Sequence, residues 1–216
     1  MSGFGYLGAT TGNSPGAAPP YVGPSQVDAG GSHGGAGTHR DHVGPAGEIY
    51  DSVYSPRLAG GGASITSTSY GARGGNGGGV VNLTAGTLQL DGQILAKGEA
   101  RTAGQPGGAG GTVLLTAGTL AGAGTVDASG GAGDSVGAGG GGRVGLIAGA
   151  VQGFNPATQA KALGGTQVNG YPSNVFGGGG TVFTKFGSQV YGSLWVDGGS
   201  PPAGTGSPAT PLPAIG

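Results

Sequence analysis

Apolar and polar positions alternate in short bursts along this chain, and the bursts repeat. "VVNLTAGTL" (80–88) recurs as "TVLLTAGTL" (112–120) at an offset of 32. Two looser copies follow: "GRVGLIAGAV" (142–151) aligns with "GTVLLTAGTL" at an offset of 31, and "GTVFTKFGSQ" (180–189) at 69. A period of two is the signature of a strand with one buried face. It places Val81, Leu83 and Ala85 on one face, then Val113, Leu115 and Ala117, then Val144, Leu146 and Ala148, then Val182, Thr184 and Phe186. The intervening positions are mixed (Asn82, Leu114, Gly145, Phe183), and Thr112 is expected to point outward.

A second strand is expected after each phrase. "QILAKG" (93–98) aligns with "TVDASG" (125–130) at the same offset of 32. "QAKALG" (159–164) fills this slot weakly in the third copy, and "SLWVDG" (193–198) is expected to fill it in the fourth. A unit of about 30 residues cannot bury its own apolar face and needs its neighbours stacked on it. Equivalent residues would then lie one strand spacing apart, about 4.8 Å. The fold this predicts is all-β: a right-handed parallel β-helix or solenoid of about four coils with glycine-rich extended returns. The expected division is a Pro/Gly-rich extension over 1–29, a polar cap or first coil over 30–72, the repeat solenoid over 73–199, and a Pro/Gly-rich linker or tail over 200–216.

Composition sharpens this picture. The 216 residues include 58 Gly and 14 Pro, a third of the chain. Without a period, that would read as low complexity. Here the runs, such as "GAGGGG" (137–142), fall at the same place in every unit. Ordering a backbone costs about 1–2 kcal/mol per residue, most of all for Gly. Runs stacked side by side can offset that cost by bonding laterally, so extended or polyproline-II-like glycine packing is expected on one side of the stack.

Charge excludes some classes of function. Eight Lys and Arg against nine Asp and Glu leave a net charge of −1, with no basic stripe for nucleic acid. No apolar run reaches the length of a membrane helix. There is no cysteine, hence no disulfide or thiolate metal site. The first residues, "MSGFGYLGATTGNSPGAAPP", lack the basic and apolar regions of a signal peptide, so another export route or a longer parent chain is expected.

The phrases "GGSHGGAG" (30–37), "YDSVYSPRLAGGGAS" (50–64), "GAGGGGRVGLIAG" (137–149) and "GGGGTVFTKFGSQVYGSLWVDGG" (177–199), closed by "TPLPAIG", occur in this order. Together they resemble glycine-rich parallel β-solenoid modules of very large bacterial exported or surface proteins of the autotransporter-adhesin type. The resemblance implies an extracellular or cell-surface module of a longer chain and brings no catalytic residues with it. The expected role is structural or adhesive, as a non-catalytic spacer or display unit. The expected partners are other domains of the parent chain or copies of the module, with surface glycans as a further class. Two alternatives belong to other classes: a glycan-binding adhesin tip of the phage type, and a β-helical polysaccharide lyase or hydrolase.

Candidate chemistry is sparse. "HGGAGTHRDHVGPAGEIYDS" (33–52) holds all three histidines, and His33, His39, His42 and Asp41 are the weak metal candidates. Their spacing matches no established motif, and a polar capping loop is the competing reading, so no metal or other cofactor is assigned. A lyase or hydrolase needs clustered carboxylates. Asp91, Glu99, Asp127, Asp134 and Asp197 do not fall at equivalent repeat positions, and no catalytic residue is assigned. Glycine runs without a GK[ST] ending are not phosphate loops, and no calcium-binding nonapeptide is present. Tyr50, Tyr54, Tyr171, Tyr191 and Trp195 are candidates for a glycan-contacting face, against local packing as the plainer reading.

Overall fold

The computed structural model describes residues 5–8, 14–15, 28–39, 46–65, 73–169, 175–198 and 206–212. They form a mostly β structure with parallel and mixed sheets and one single-turn helix, α1 (Pro156–Gln159). The four copies of the repeated phrase are strands β1 (Val80–Gln89), β3 (Thr112–Ala121), β6 (Arg143–Gln152) and β9 (Gly180–Phe186). They pair in parallel in that order. Their register follows the repeat offsets: Val81 lies opposite Val113, Val113 opposite Val144, and Val144 opposite Val182. Leu83, Leu115 and Leu146 form the adjacent row. A smaller parallel sheet joins β2 (Gln93–Leu95), β4 (Thr125–Asp127) and β7 (Ala160–Lys161). Ile94, Val126 and Ala160 face the first sheet's Val and Leu rows in one apolar cluster. A third pairing, β5 (Gly133–Asp134) with β8 (Gln167–Val168), lies further along the chain.

The buried face changes parity inside each long strand. Val81, Leu83 and Ala85 face inward, Gly86 and Thr87 are both exposed, and Leu88 and Leu90 face inward again. Gly86, Gly118 and Gly149 stack at this bend. A Cβ on Gly118 would lie 2.6 Å from the Gly86 carbonyl oxygen, and one on Gly149 2.8 Å from that of Gly118. The "AG" step shared by the first three copies therefore turns the strand, and it brings Leu120 into the core beside Leu115.

Two expectations are corrected. "SLWVDG" does not take the second-sheet position. It forms β10 (Ser193–Asp197), which folds back and pairs antiparallel with β9, Trp195 opposite Val182. The loop before it, "GSQVYG", starts with Gly187 at φ 58 and is long enough to reverse the chain, so β10 covers β9 and becomes the last strand of the sheet. Thr112 does not face solvent. It is fully buried and its Oγ1 donates to the Leu58 carbonyl at 2.7 Å, because residues 50–58 cross the outer face of the sheet.

The glycine runs form a second, side-chain-free core. Along 107–111, Gly107 and Gly110 donate to Gly137 and Gly140, Gly108 and Gly111 donate to Glu99 and Ala96, and Ala109 donates to Gly61. Along 139–142, Gly139 and Gly142 donate to Gly131 and Ala128, Gly140 to Gly31 and Gly141 to Gly178. A neighbour met again at every third residue is the mark of a three-residue turn, the polyproline II form. Successive runs at 75–78, 107–110 and 137–140 lie parallel, displaced by about one repeat. The returns through 96–99, 128–131 and 162–165 run antiparallel to them on one side, and residues 30–38 and 60–63 cover the other. Segments this close leave no room for side chains. A Cβ on Gly110 would run into the Ala128 carbonyl, and one on Gly140 into that of Gly35. The tail joins this layer: Gly206 pairs with Val175, and Thr210 Oγ1 donates to the Gly179 carbonyl at 2.6 Å.

Candidate functional site

The densest group of buried polar side chains sits where the strap 50–58 meets the start of the long strands. Thr112, Arg143 and Thr181 are register partners on the sheet's outer face. Arg143 is almost wholly buried. Its Nε and Nη2 donate to the Tyr50 carbonyl at 2.9 and 2.8 Å, and its Nη1 to Thr181 Oγ1 at 3.0 Å. Burial pulls the guanidinium down to about 10, against the attraction of Asp51, and it stays charged at neutral pH.

Asp51 holds the strap from within. It adopts φ 71, a left-handed conformation that Asp tolerates better than most residues. Its carboxylate accepts from the amides of Ser52, Arg57 and Leu58 at 2.8 Å each. Burial raises its pKa, but the His33 ring and those amides outweigh burial, and the carboxyl titrates at about 2. Tyr50 closes the strap by donating its hydroxyl to the Ala59 carbonyl at 2.6 Å, and burial pushes that phenol up.

His33 lies beneath, fully buried, with its ring 4.8 Å from that of Tyr50. Its Nδ1 is 2.8 Å from the Gly110 carbonyl, which can only accept, so Nδ1 carries the proton. With the proton on Nδ1, Nε2 keeps a lone pair 3.5 Å from Asp51 Oδ2 and has no hydrogen-bond partner. Burial lowers the imidazole pKa, against the favourable pull of Asp51 and the Gly110 carbonyl. The cluster thus ties the strap to the sheet through Arg143 and to the glycine layer through His33. Arg143 donates to the Tyr50 carbonyl and to Thr181 Oγ1, Asp51 accepts from strap amides, and His33 Nε2 is left buried without a hydrogen-bond partner.

Of the metal candidates, His33 is in this cluster, His39 forms a bridge with Ala29, and Asp41 and His42 lie outside the described residues. Among the described residues no three His, Cys, Asp or Glu side chains converge as a metal centre. The repeat-region acids hold separate partners. Asp91 accepts from Gln89, Glu99 from Arg101 and the Asn76 amide, Asp127 pairs with Lys97, Asp134 accepts from Asn169 and the Gly104 amide, and Asp197 accepts from the Ala162 amide.

The aromatic candidates do not share a face. Tyr50 is inside the strap, Tyr54 packs edge-on against Phe183 at 5.1 Å, Trp195 lies partly against the apolar core, and Tyr171 is outside the described residues. Tyr191, at the tip of the β9–β10 hairpin, is 85% exposed and Val190 beside it 75%. Sequence reasoning missed Arg143. The available signal was its place in the repeat, a charge where two register partners carry Thr. No helix of the described residues is long and apolar enough to cross a membrane. Comparison with protein-family models, curated proteins and solved structures finds no match to this chain.

Proposed function

We propose that this chain is a non-catalytic structural module of a bacterial extracellular or cell-surface protein: a right-handed parallel β-solenoid of about four coils with glycine-rich returns, acting as a stiff spacer or display unit. The observation that carries the reading is where the buried polar groups go. The glycine amides bond to neighbouring runs, and Arg143 and Asp51 spend their hydrogen bonds on holding a strap. The atom of that cluster without a hydrogen-bond partner, His33 Nε2, is fully buried and faces Asp51. The parallel register at repeat offsets supports the solenoid, and right-handed crossovers are the rule for parallel connections. The described backbone of the glycine runs is bonded inside, which leaves proteases few openings there.

The test is limited proteolysis of the folded chain together with assay for reducing-end release from acidic polysaccharides. The module should resist the protease and release nothing. Rapid cleavage within 107–142, or sugar release, would contradict the reading. A second reading, a glycan-binding tip, is favoured by the exposure of Val190 and Tyr191 on the hairpin. A glycan array with Tyr191→Ala as control decides it.

A further inference from the structure

The two edges of the main sheet are treated differently. Among the described residues the sheet ends on one side in β10, five residues long and carrying Asp197, and on the other in β1. Natural edge strands are usually blunted by charge, proline or brevity. β1 is ten residues long, "VVNLTAGTLQ", with no charge and no proline. Its inward Leu83 and Leu88 are only half-buried, whereas their register partners Leu115 and Leu120, one strand further in, are almost fully buried.

The strand is also a palindrome about its bend. Read outward from the Ala85–Gly86 step, the sequence gives Ala/Gly, Thr84/Thr87, Leu83/Leu88, Asn82/Gln89 and Val81/Leu90. The change of parity at the bend makes this symmetry structural. Leu83 and Leu88 face inward while Thr84, Thr87, Asn82 and Gln89 face outward. A straight strand would set members of such pairs on opposite faces. Gly86 lies in open space, with nothing within 4 Å of an added Cβ, so a second backbone can approach there.

We propose that the outer edge of β1 is a self-complementary dimerisation edge, occupied by β1 of a second copy running antiparallel about a two-fold axis between Ala85 and Gly86. Each side chain then meets its own kind: Thr84 the partner's Thr87, Leu83 the partner's Leu88, and Asn82 the partner's Gln89. Such an isologous contact closes on itself, and the half-buried leucines gain cover. Head-to-tail stacking is disfavoured, because the other edge is β10, half as long as β1 and carrying Asp197. The proposal deepens the reading as a structural module by naming its partner as a second copy.

The test uses the full chain in analytical ultracentrifugation. The wild type should sediment as a dimer. Thr84→Lys/Thr87→Lys, which sets like charges opposite one another on an exposed edge, should sediment as a folded monomer. The chain has no cysteine, so a second arm reads the register. Oxidation of mixed Thr84→Cys and Thr87→Cys single variants should give a cross-linked dimer, and either variant alone should not. A monomeric wild type, a filament, or cross-linking that ignores the pairing would overturn the proposal, whether or not the lysine variant folds. A monomer that still resists protease would overturn this edge and leave the structural module standing. A dimer that releases sugar would do the reverse.

Discussion

The two cores of this protein obey opposite rules. Between the sheets, Val113, Leu115, Val126, Val144 and Leu146 fill space with side chains, and order comes from apolar burial. In the glycine layer, 107–111 and 137–142 contain no side chain larger than a methyl group, and order comes from backbone hydrogen bonds to several neighbours at once. Each such bond contributes only about 0.5–1.5 kcal/mol net, so the layer depends on making nearly all of them. The first core is damaged by removing atoms and the second by adding them.

The largest effect is expected where an addition meets backbone on all sides. Gly140→Val places its Cβ into the Gly35 carbonyl, and the module should lose more than about 4 kcal/mol or fail to fold, read by thermal melting. A melting temperature unchanged by this substitution would remove the distinction between the cores. Leu115→Ala and Leu146→Ala, at almost fully buried register partners, should each cost about 2–5 kcal/mol in denaturant titration. Equivalent alanines at Val80 or Val196, which are substantially exposed, should cost far less.

The strap links the two cores, and its acid response tests that link. The Asp51 carboxyl is lowered to about 2 in the fold from 3.8, so its contribution is complete above pH 4 and is lost as pH falls toward 2. The lowered His33 pKa acts earlier and in the same direction: below its usual value of 6.5 the unfolded chain takes up protons more readily, and stability declines. Asp51→Asn keeps a residue that tolerates φ 71 but removes the charge. It should cost about 1.5–3 kcal/mol at pH 7 and flatten the acid limb of a plot of Tm against pH. An acid limb that survives unchanged in Asp51→Asn would assign it to other groups.

The smallest effects concern turns. Ala103, Ser135 and Asn169 hold positive φ at neighbouring turns of successive units. Ala103→Gly should gain up to about 1 kcal/mol, because φ 59 strains alanine and not glycine. Gly92→Ala, with nothing within 4 Å of the new methyl, should stay within about 0.5 kcal/mol of wild type. A large loss at Gly92 would mean that glycine matters here through chain flexibility rather than close packing.

Much of the strand register was legible because it rests on repetition. The offsets of 32 and 31 named the residues that pair, and alternation named Val81, Val113, Val144 and Val182 as one row. What failed were features set by segments far apart in the chain. Thr112 reads as outward by alternation and does lie on the outer face, but the strap from residue 58 buries it. "SLWVDG" looks like a second-sheet strand by composition, yet the reversing loop before it turns it back onto β9. The candidate site was half visible. His33 stood out in a polar run, while Asp51 was not singled out and Arg143 was hidden inside a strand phrase, and only the fold brings Arg143 to the Tyr50 carbonyl. The parity change at Gly86 was visible as a shift in apolar spacing from Ala85 to Leu88, and it carries the symmetry of the β1 edge.

Native-state hydrogen exchange at individual glycine amides tests the central claim most directly, that the glycine runs are a core and not loops. Gly107, Gly108, Gly110, Gly140, Gly141 and Gly142 donate to backbone carbonyls at 2.8–3.1 Å. The account predicts that these amides are protected to the same degree as those of Val113, Leu115 and Leu146 and are released with them in one cooperative opening. Exchange of the glycine amides at the rate of an unstructured chain, while the Val and Leu amides stay protected, would contradict it.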